Sequence, residues 1–151
     1  MFFREFHESA RLSLERVRWI DLPHAVDERG VLTAIEGGTN IPFDIRRVFY
    51  MHKTPNGIER GGHAHPDTQQ VVVPLSGRFD LELSDGTRAK SFEMVDPNRG
   101  LYMPPMTWVR LKNFTEYAVC LVLADTRYDK SRSIRTWEDF LAATRAPKGL
   151  A

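Results

Sequence analysis

Arg60-Gly61-Gly62-His63-Ala64-His65 places two imidazoles two residues apart, directly after a glycine-containing turn. On a β-strand, residues i and i+2 share one face, so His63 and His65 project side by side, their α-carbons roughly 6.5 Å apart. Such a pair suits a shared metal or a shared substrate. An isolated His-x-His more often divides into one buried, hydrogen-bonded ring and one solvated ring. The flanking residues decide between the two readings.

Short apolar or alternating segments separated by turn residues surround the pair, the pattern of an antiparallel sandwich or barrel. Strands are predicted over 16–21, 31–36, 44–51, 69–75, 78–84, 88–95, 107–112 and 117–124. Phe79, Leu81 and Leu83 alternate with Arg78, Asp80, Glu82 and Ser84, giving that strand one apolar and one polar face. Ser84-Asp85-Gly86 and Ser76-Gly77 both read as hairpin turns. Helix is signalled only near the end, where Thr136 caps a segment with Trp137, Phe140 and Leu141 at helical spacing and Asp139 in the capping-box position.

Reading outward from the histidines gives Gly57, five residues, His63, one residue, His65, four residues, Gln70, six residues, Gly77. This spacing resembles the first cupin motif, in which two histidines and a glutamate point into the barrel between two glycines. Pro104-Pro105-Met106-Thr107-Trp108-Val109, followed by Asn113, resembles the second motif. The resemblance implies an all-β fold, a cupin double-stranded β-helix (jelly-roll) barrel with a short C-terminal helix. Glutamine stands at position 70 where a metal-binding cupin has glutamate, and it offers only a neutral carbonyl oxygen. Val109 occupies the position of the last metal histidine and cannot bind a metal. A catalytic transition-metal site normally needs about three protein ligands, so no metal and no other cofactor is expected. His63 and His65 are instead read as titratable groups, since an imidazole with an ordinary pKa near 6.5 suits proton transfer at neutral pH.

The chain of 151 residues is the size of one ordinary domain. It divides into an N-terminal extension (1–14), a cupin domain (15–146) and a C-terminal tail (147–151). Lys plus Arg (21) nearly balances Asp plus Glu (20), so the net charge suggests neither a nucleic-acid nor a membrane partner. The single cysteine, Cys120, lies in the apolar run Ala118–Leu123 and reads as a buried structural thiol. Arg4, Glu5 and Glu8 interrupt the apolar residues Phe2, Phe3 and Phe6, and no stretch approaches the roughly 18 apolar residues of a membrane span. A cytoplasmic protein is the expectation.

From Asp27 to Phe140 the sequence resembles one cupin family in particular, the bacterial sugar 3,4-ketoisomerases acting on dTDP-4-keto-6-deoxyglucose, also called WxcM-like. The resemblance rests on Asp27-Glu28-Arg29-Gly30-Val31-Leu32, Ile41-Pro42-Phe43, Arg47-Val48-Phe49-Tyr50, the Arg60–His65 stretch, Gln69-Gln70, Leu75-Ser76-Gly77, Gly100–Pro105, Trp108 and Tyr128-Asp129. It implies exchange of a C4 ketone with the C3 hydroxyl of a dTDP-linked keto-deoxysugar, through an enediol and without a redox cofactor. A carbon acid beside a ketone needs both a base and donors that stabilise the enolate. His63 is assigned as base and His65 as its partner, an order that can also be inverted; Arg29 and Tyr50 supply donors. Tyr50 alternates with Phe49, so one of the two faces the interior, and Tyr50 is chosen for its hydroxyl. Arg60 is assigned to the diphosphate, with Arg47 and Arg110 as weaker candidates. Tyr102 is a candidate to stack on the base, and Gln70 faces the substrate. Relatives often carry a basic residue after His-Ala-His, whereas this chain has Pro66-Asp67, and Arg132-Ser133 replaces an acidic-tyrosine pair. The resemblance also implies a homodimer with exchanged N-terminal strands, for which 16–21, with Trp19 and Ile20, is the candidate.

Two other readings compete. A 3,5-epimerase-like sugar-nucleotide enzyme would use similar carbon-acid chemistry with a His–Asp arrangement. A nucleotide-sugar-binding cupin without turnover would keep the pocket and lose the reaction.

Overall fold

The structure, a computed structural model, describes residues 13–145. Most of the N-terminal extension, with Phe2, Phe3, Phe6 and His7, and the tail from 147 lie outside the described residues.

Eleven strands follow in order: β1 (Arg18–Asp21), β2 (His24–Asp27), β3 (Gly30–Thr33), β4 (Arg47–His52), β5 (Arg60–His63), β6 (Gln70–Ser76), β7 (Phe79–Ser84), β8 (Ala89–Met94), β9 (Arg99–Met103), β10 (Trp108–Lys112) and β11 (Val119–Ala124). They form a five-stranded sheet of order β1-β9-β6-β11-β4, a four-stranded sheet of order β5-β10-β7-β8, and the separate hairpin β2-β3. All strand pairings are antiparallel. The two larger sheets face each other as a jelly roll, and a short helix, α1 (Trp137–Thr144), packs beside the end of β5.

The period-2 rule sorts every strand of this barrel. Phe79, Leu81 and Leu83 of β7 and Val109 and Leu111 of β10 meet Val72, Leu101, Met103, Cys120 and Val122 of the other sheet in one interior cluster. Each fully buried side chain of this size contributes about 1.5–3 kcal/mol. Leu14 joins this interior, so the last residues of the N-terminal extension are core. The five-stranded sheet is covered on its outer face as well: Val71, Val73, Tyr102 and Leu123 pack under Leu22, Ile41 and Phe43. A third cluster joins Ala64, Met106, Trp108 and Phe140, tying α1 to the end of β5. The Thr136 hydroxyl accepts the N–H of Asp139 and starts that helix.

The eight expected strands are present with trimmed ends, and β2, β5 and β9 are additional. The Ser84–Gly86 turn joins paired neighbours β7 and β8, as expected of a hairpin. Ser76-Gly77 does not: β6 and β7 lie in different sheets, so this turn is a crossover. Gly77 takes φ +65°, and a β-carbon there would sit 2.6 Å from Thr115 Oγ1 and 2.7 Å from Ala118 Cα. Only glycine meets both demands. The expected exchange strand pairs β1 with β9 of the same chain, leaving β2-β3 as a two-stranded sheet apart from the other two. Among the described residues, no helix is long and apolar enough to cross a membrane.

Candidate active site

His63 ends β5 opposite Val109 of β10. Two left-handed glycines, Gly61 (φ +87°) and Gly62 (φ +76°), bend β5 just before it. A β-carbon on Gly61 would lie 2.6 Å from the Val109 carbonyl oxygen, so glycine lets β5 press against the bulge between Val109 and Arg110. Ala64 is fully buried, and its backbone exchanges hydrogen bonds of 2.9 and 2.8 Å with Ile134. His65 follows, its carbonyl accepting the Met106 N–H at 2.9 Å. The two imidazole centroids are 5.0 Å apart with planes at 59°. The spacing predicted a shared space, and the structure shows it.

His63 lines a cavity of about 190 Å³ between the sheets, walled by Phe49, Met51, Leu81, Val109 and Val122 and carrying Arg60 and Gln70 as polar residues. Its Nδ1 is buried without a hydrogen-bond partner among the described residues, an arrangement that is costly unless a ligand completes it. His65 turns to an adjoining polar recess that also holds Arg47, Arg132 and Arg135. Burial lowers the pKa of His63, and the charge of Arg135 adds to the effect. His65 falls to about 4, mainly through burial, then through His63, Arg47 and Arg135. Both shifts favour the uncharged ring at neutral pH, the form that accepts a proton. Arg47 is half-buried, stacked on Phe49 (5.3 Å) and Tyr128 (5.5 Å), and its Nε lacks a partner.

The structure thus places His63, Gln70 and Arg60, with Tyr50 at the edge, on one cavity and His65 and Arg47 in the recess beside it. Tyr102, Arg110 and Arg29 lie elsewhere, and strand parity explains the first two and the outward turn of Tyr50. On β4, Arg47, Phe49 and Met51 are the half-buried positions and Val48, Tyr50 and His52 the exposed ones. Phe49 and Met51 pack on the interior cluster, so the inward aromatic is Phe49. Tyr50 borders the cavity along its strand, but it is 62% exposed and its ring lies 5.3 Å from that of His52. Tyr102 belongs to the outer cluster, with its hydroxyl donating to Gln69 Oε1 at 2.7 Å and Arg18 5.0 Å from its ring. Arg110 lies on the outer side of β10, paired with Glu59 at 2.5 Å. Arg29 sits at the hairpin turn, fully exposed and held by Asp27 at 2.5 Å. Arg135 is the residue that sequence reading missed; its only signal is the Ile134–Ala64 bridge, which links positions 70 residues apart.

Gln70 and Val109 lie on the cavity wall with His63, and among the described residues that wall holds no carboxylate and no further histidine. Among the described residues, no three His, Cys, Asp or Glu side chains gather as a metal group. Cys120 is buried, its thiol pushed up to about 12 by burial, which makes it inert packing.

A jelly-roll barrel with an imidazole pair on its cavity wall, and with glutamine and valine at the remaining motif positions, defines a cupin equipped for proton transfer. The chain belongs to the WxcM-like, C-terminal family, whose model matches residues 15–145. It is 38% identical over 121 residues to the TDP-4-oxo-6-deoxy-alpha-D-glucose-3,4-oxoisomerase of Aneurinibacillus thermoaerophilus, covering 80% of this chain and 87% of that protein. Its fold matches the sugar 3,4-ketoisomerase QdtA of Thermoanaerobacterium thermosaccharolyticum, solved with TDP, at a TM-score of 0.85 and 38% identity, over 87% of this chain and 96% of that one. The WlaRB TDP-quinovose 3,4-ketoisomerase of Campylobacter jejuni matches at a TM-score of 0.81 and 36% identity, over 85% and 98%.

Proposed function

We propose that this chain isomerises a dTDP-linked 4-keto-6-deoxyhexose to its 3-keto form by histidine acid/base catalysis, without a metal or redox cofactor. The observation that carries the reading is the buried Nδ1 of His63, without a partner among the described residues and in a ring whose uncharged form is favoured, on the wall of a sugar-sized cavity. His63 takes the proton from C3; the C–H electron pair becomes the C3=C4 double bond, and the C4 carbonyl oxygen collects the negative charge and a proton. The C3 hydroxyl then gives up its proton as its C–O bond becomes a carbonyl, and C4 is protonated. Atoms and electrons balance within the sugar, so no external oxidant enters. His65, 5.0 Å from His63 between ring centroids, relays the proton between the two oxygens. Arg60 at the cavity and Arg47 in the recess supply cationic donors for the diphosphate. The epimerase reading is not favoured, since of the two carboxylates in the recess with His65, Asp67 is tied to Arg132 and Asp129 to Ser131.

The partner is a second copy of this chain. Hairpin β2-β3 leaves Val26, Val31 and Leu32 56–70% exposed, and an isolated two-stranded hairpin is marginal in water. Laid on another protomer it would bury these side chains and carry Arg29 of one copy to the site of the other. The free buried thiol fits a reducing compartment, and we place the protein in the cytoplasm.

The test is incubation with dTDP-4-keto-6-deoxyglucose in deuterated water, followed by NMR. Deuterium at C4 together with a 3-keto product is the expected result; tight binding without exchange overturns the enzyme reading.

A further inference from the structure

Residues 129–136 return across the histidine motif in a tightly determined path. The Asp129 carboxylate accepts the Ser131 N–H (3.0 Å) and hydroxyl (2.6 Å), and Ser133 closes the 3-10 turn on the Lys130 carbonyl. Ile134 then pairs with Ala64, and Thr136 caps α1. Arg135 is held between these two anchors. The antiparallel bridge at Ile134 and Ala64 brings its neighbours Ser133 and Arg135 beside the histidine motif, and both line the recess that holds His65.

Of the other arginines that line the recess, Arg132 is paired with Asp67, while Arg47 stacks on Phe49 and Tyr128. Arg135 has no ion pair or hydrogen-bond partner among the described residues, although it lines the recess with His65.

We propose that Arg135 is a positioning residue of this site, a cation anchored beside the histidine pair by the Ile134–Ala64 bridge that tunes the readiness of the imidazoles to accept a proton. It acts through the imidazoles, on which its charge bears from outside the barrel cavity. The other charged groups that face the pair are Arg47 from β4, Arg60 from β5, and Arg127 with Asp129 from the segment after β11. Asp67 also faces the recess, with Arg132 upon it. Arg47 and Arg60 sit in the ladders of β4 and β5, whereas Arg135 follows the bridge that Ile134 makes to the residue between the histidines.

The kinetic half of the proposal rests on the isomerase reading; the titration does not. The imidazole signals of the whole, ligand-free protein are followed by NMR from about pH 3 to about pH 8 in wild type, Arg135→Gln, Arg135→Met and Arg135→Lys. His24, bonded to the Leu22 carbonyl, and His52, on the outer face, serve as internal references. Removing the charge in the Gln and Met variants should raise the midpoints of His63 and His65 by about half a unit or more, with the references unmoved. Arg135→Lys should stay near wild type. The acidic limb of kcat/KM should move up with the midpoints, lowering the rate on that limb about threefold or more. Unmoved midpoints in folded Gln and Met variants, or an equal displacement in the Lys variant, overturn the role. A wild-type protein that titrates as expected but exchanges no deuterium overturns the isomerase reading, and with it the kinetic half.

Discussion

Val109 stands directly across from His63 in the β5–β10 pair, 4% exposed. An isopropyl group therefore fills the position where a metal-binding cupin carries its last imidazole. It dries the surroundings of His63, which lowers the ring's proton affinity instead of directing it to a cation.

Exhaustive treatment with a strong chelator should leave deuterium exchange within about twofold, because two imidazoles alone fall short of a catalytic metal set. A loss of about tenfold or more that added divalent cation restores would show that the set is completed in a way the donor chemistry does not predict.

His63→Asn keeps a polar side chain of similar reach and removes the base. Exchange should fall by about 10²–10⁴, while dTDP binding measured by calorimetry stays close to wild type. Lost binding with unchanged exchange per bound complex would remove His63 from the role.

Both imidazoles have folded pKa values below the ordinary 6.5, that of His65 at about 4. The unfolded chain then binds more protons between these limits, so stability is fully present above pH 6.5 and falls as pH drops toward 4. The loss attributable to His65 is on the order of 3 kcal/mol. Denaturant titrations across this window should show the decline, and His65→Gln should flatten it; a decline of equal depth in that variant would place its cause elsewhere.

Gly61→Ala should destabilise the fold by about 1–3 kcal/mol, because alanine adopts the left-handed conformation poorly and its methyl group meets the Val109 carbonyl oxygen. Activity should fall further than stability, since β5 carries His63. Thermal melts and exchange assays on the one sample separate the two effects.

Leu32→Asp on the exposed hairpin should convert a dimer to a monomer in light scattering and lower exchange. A wild-type monomer would remove the proposed partner and the route by which Arg29 reaches a site.

The barrel was legible where strands alternate, as in β7, and where turns are marked by glycine. β5 escaped because two left-handed glycines interrupt it, and β9 because Gly100–Met103 is buried on both faces and shows no alternation. β2 is exposed throughout and has no apolar face to detect. In the site, the histidine pair and Gln70 declared themselves by spacing. Tyr102 and Arg110 lie away from the cavity and Tyr50 only borders it, because parity depends on register, and register is set by partners such as Leu121 and Val71 that lie far along the chain. Arg135 was invisible for a related reason: a single bridge, with no periodicity of its own, brings it to the histidines.

Ala64 separates the two imidazoles and packs, fully buried, with Met106, Trp108 and Phe140. The spacer between the proton carriers is thus also a docking point for the last helix. Warming that loosens α1 will release the imidazoles from alignment while the sheets stay intact. The enzyme should therefore fall silent on heating several degrees before its β-sheet circular dichroism is lost, a local melting felt first as chemistry.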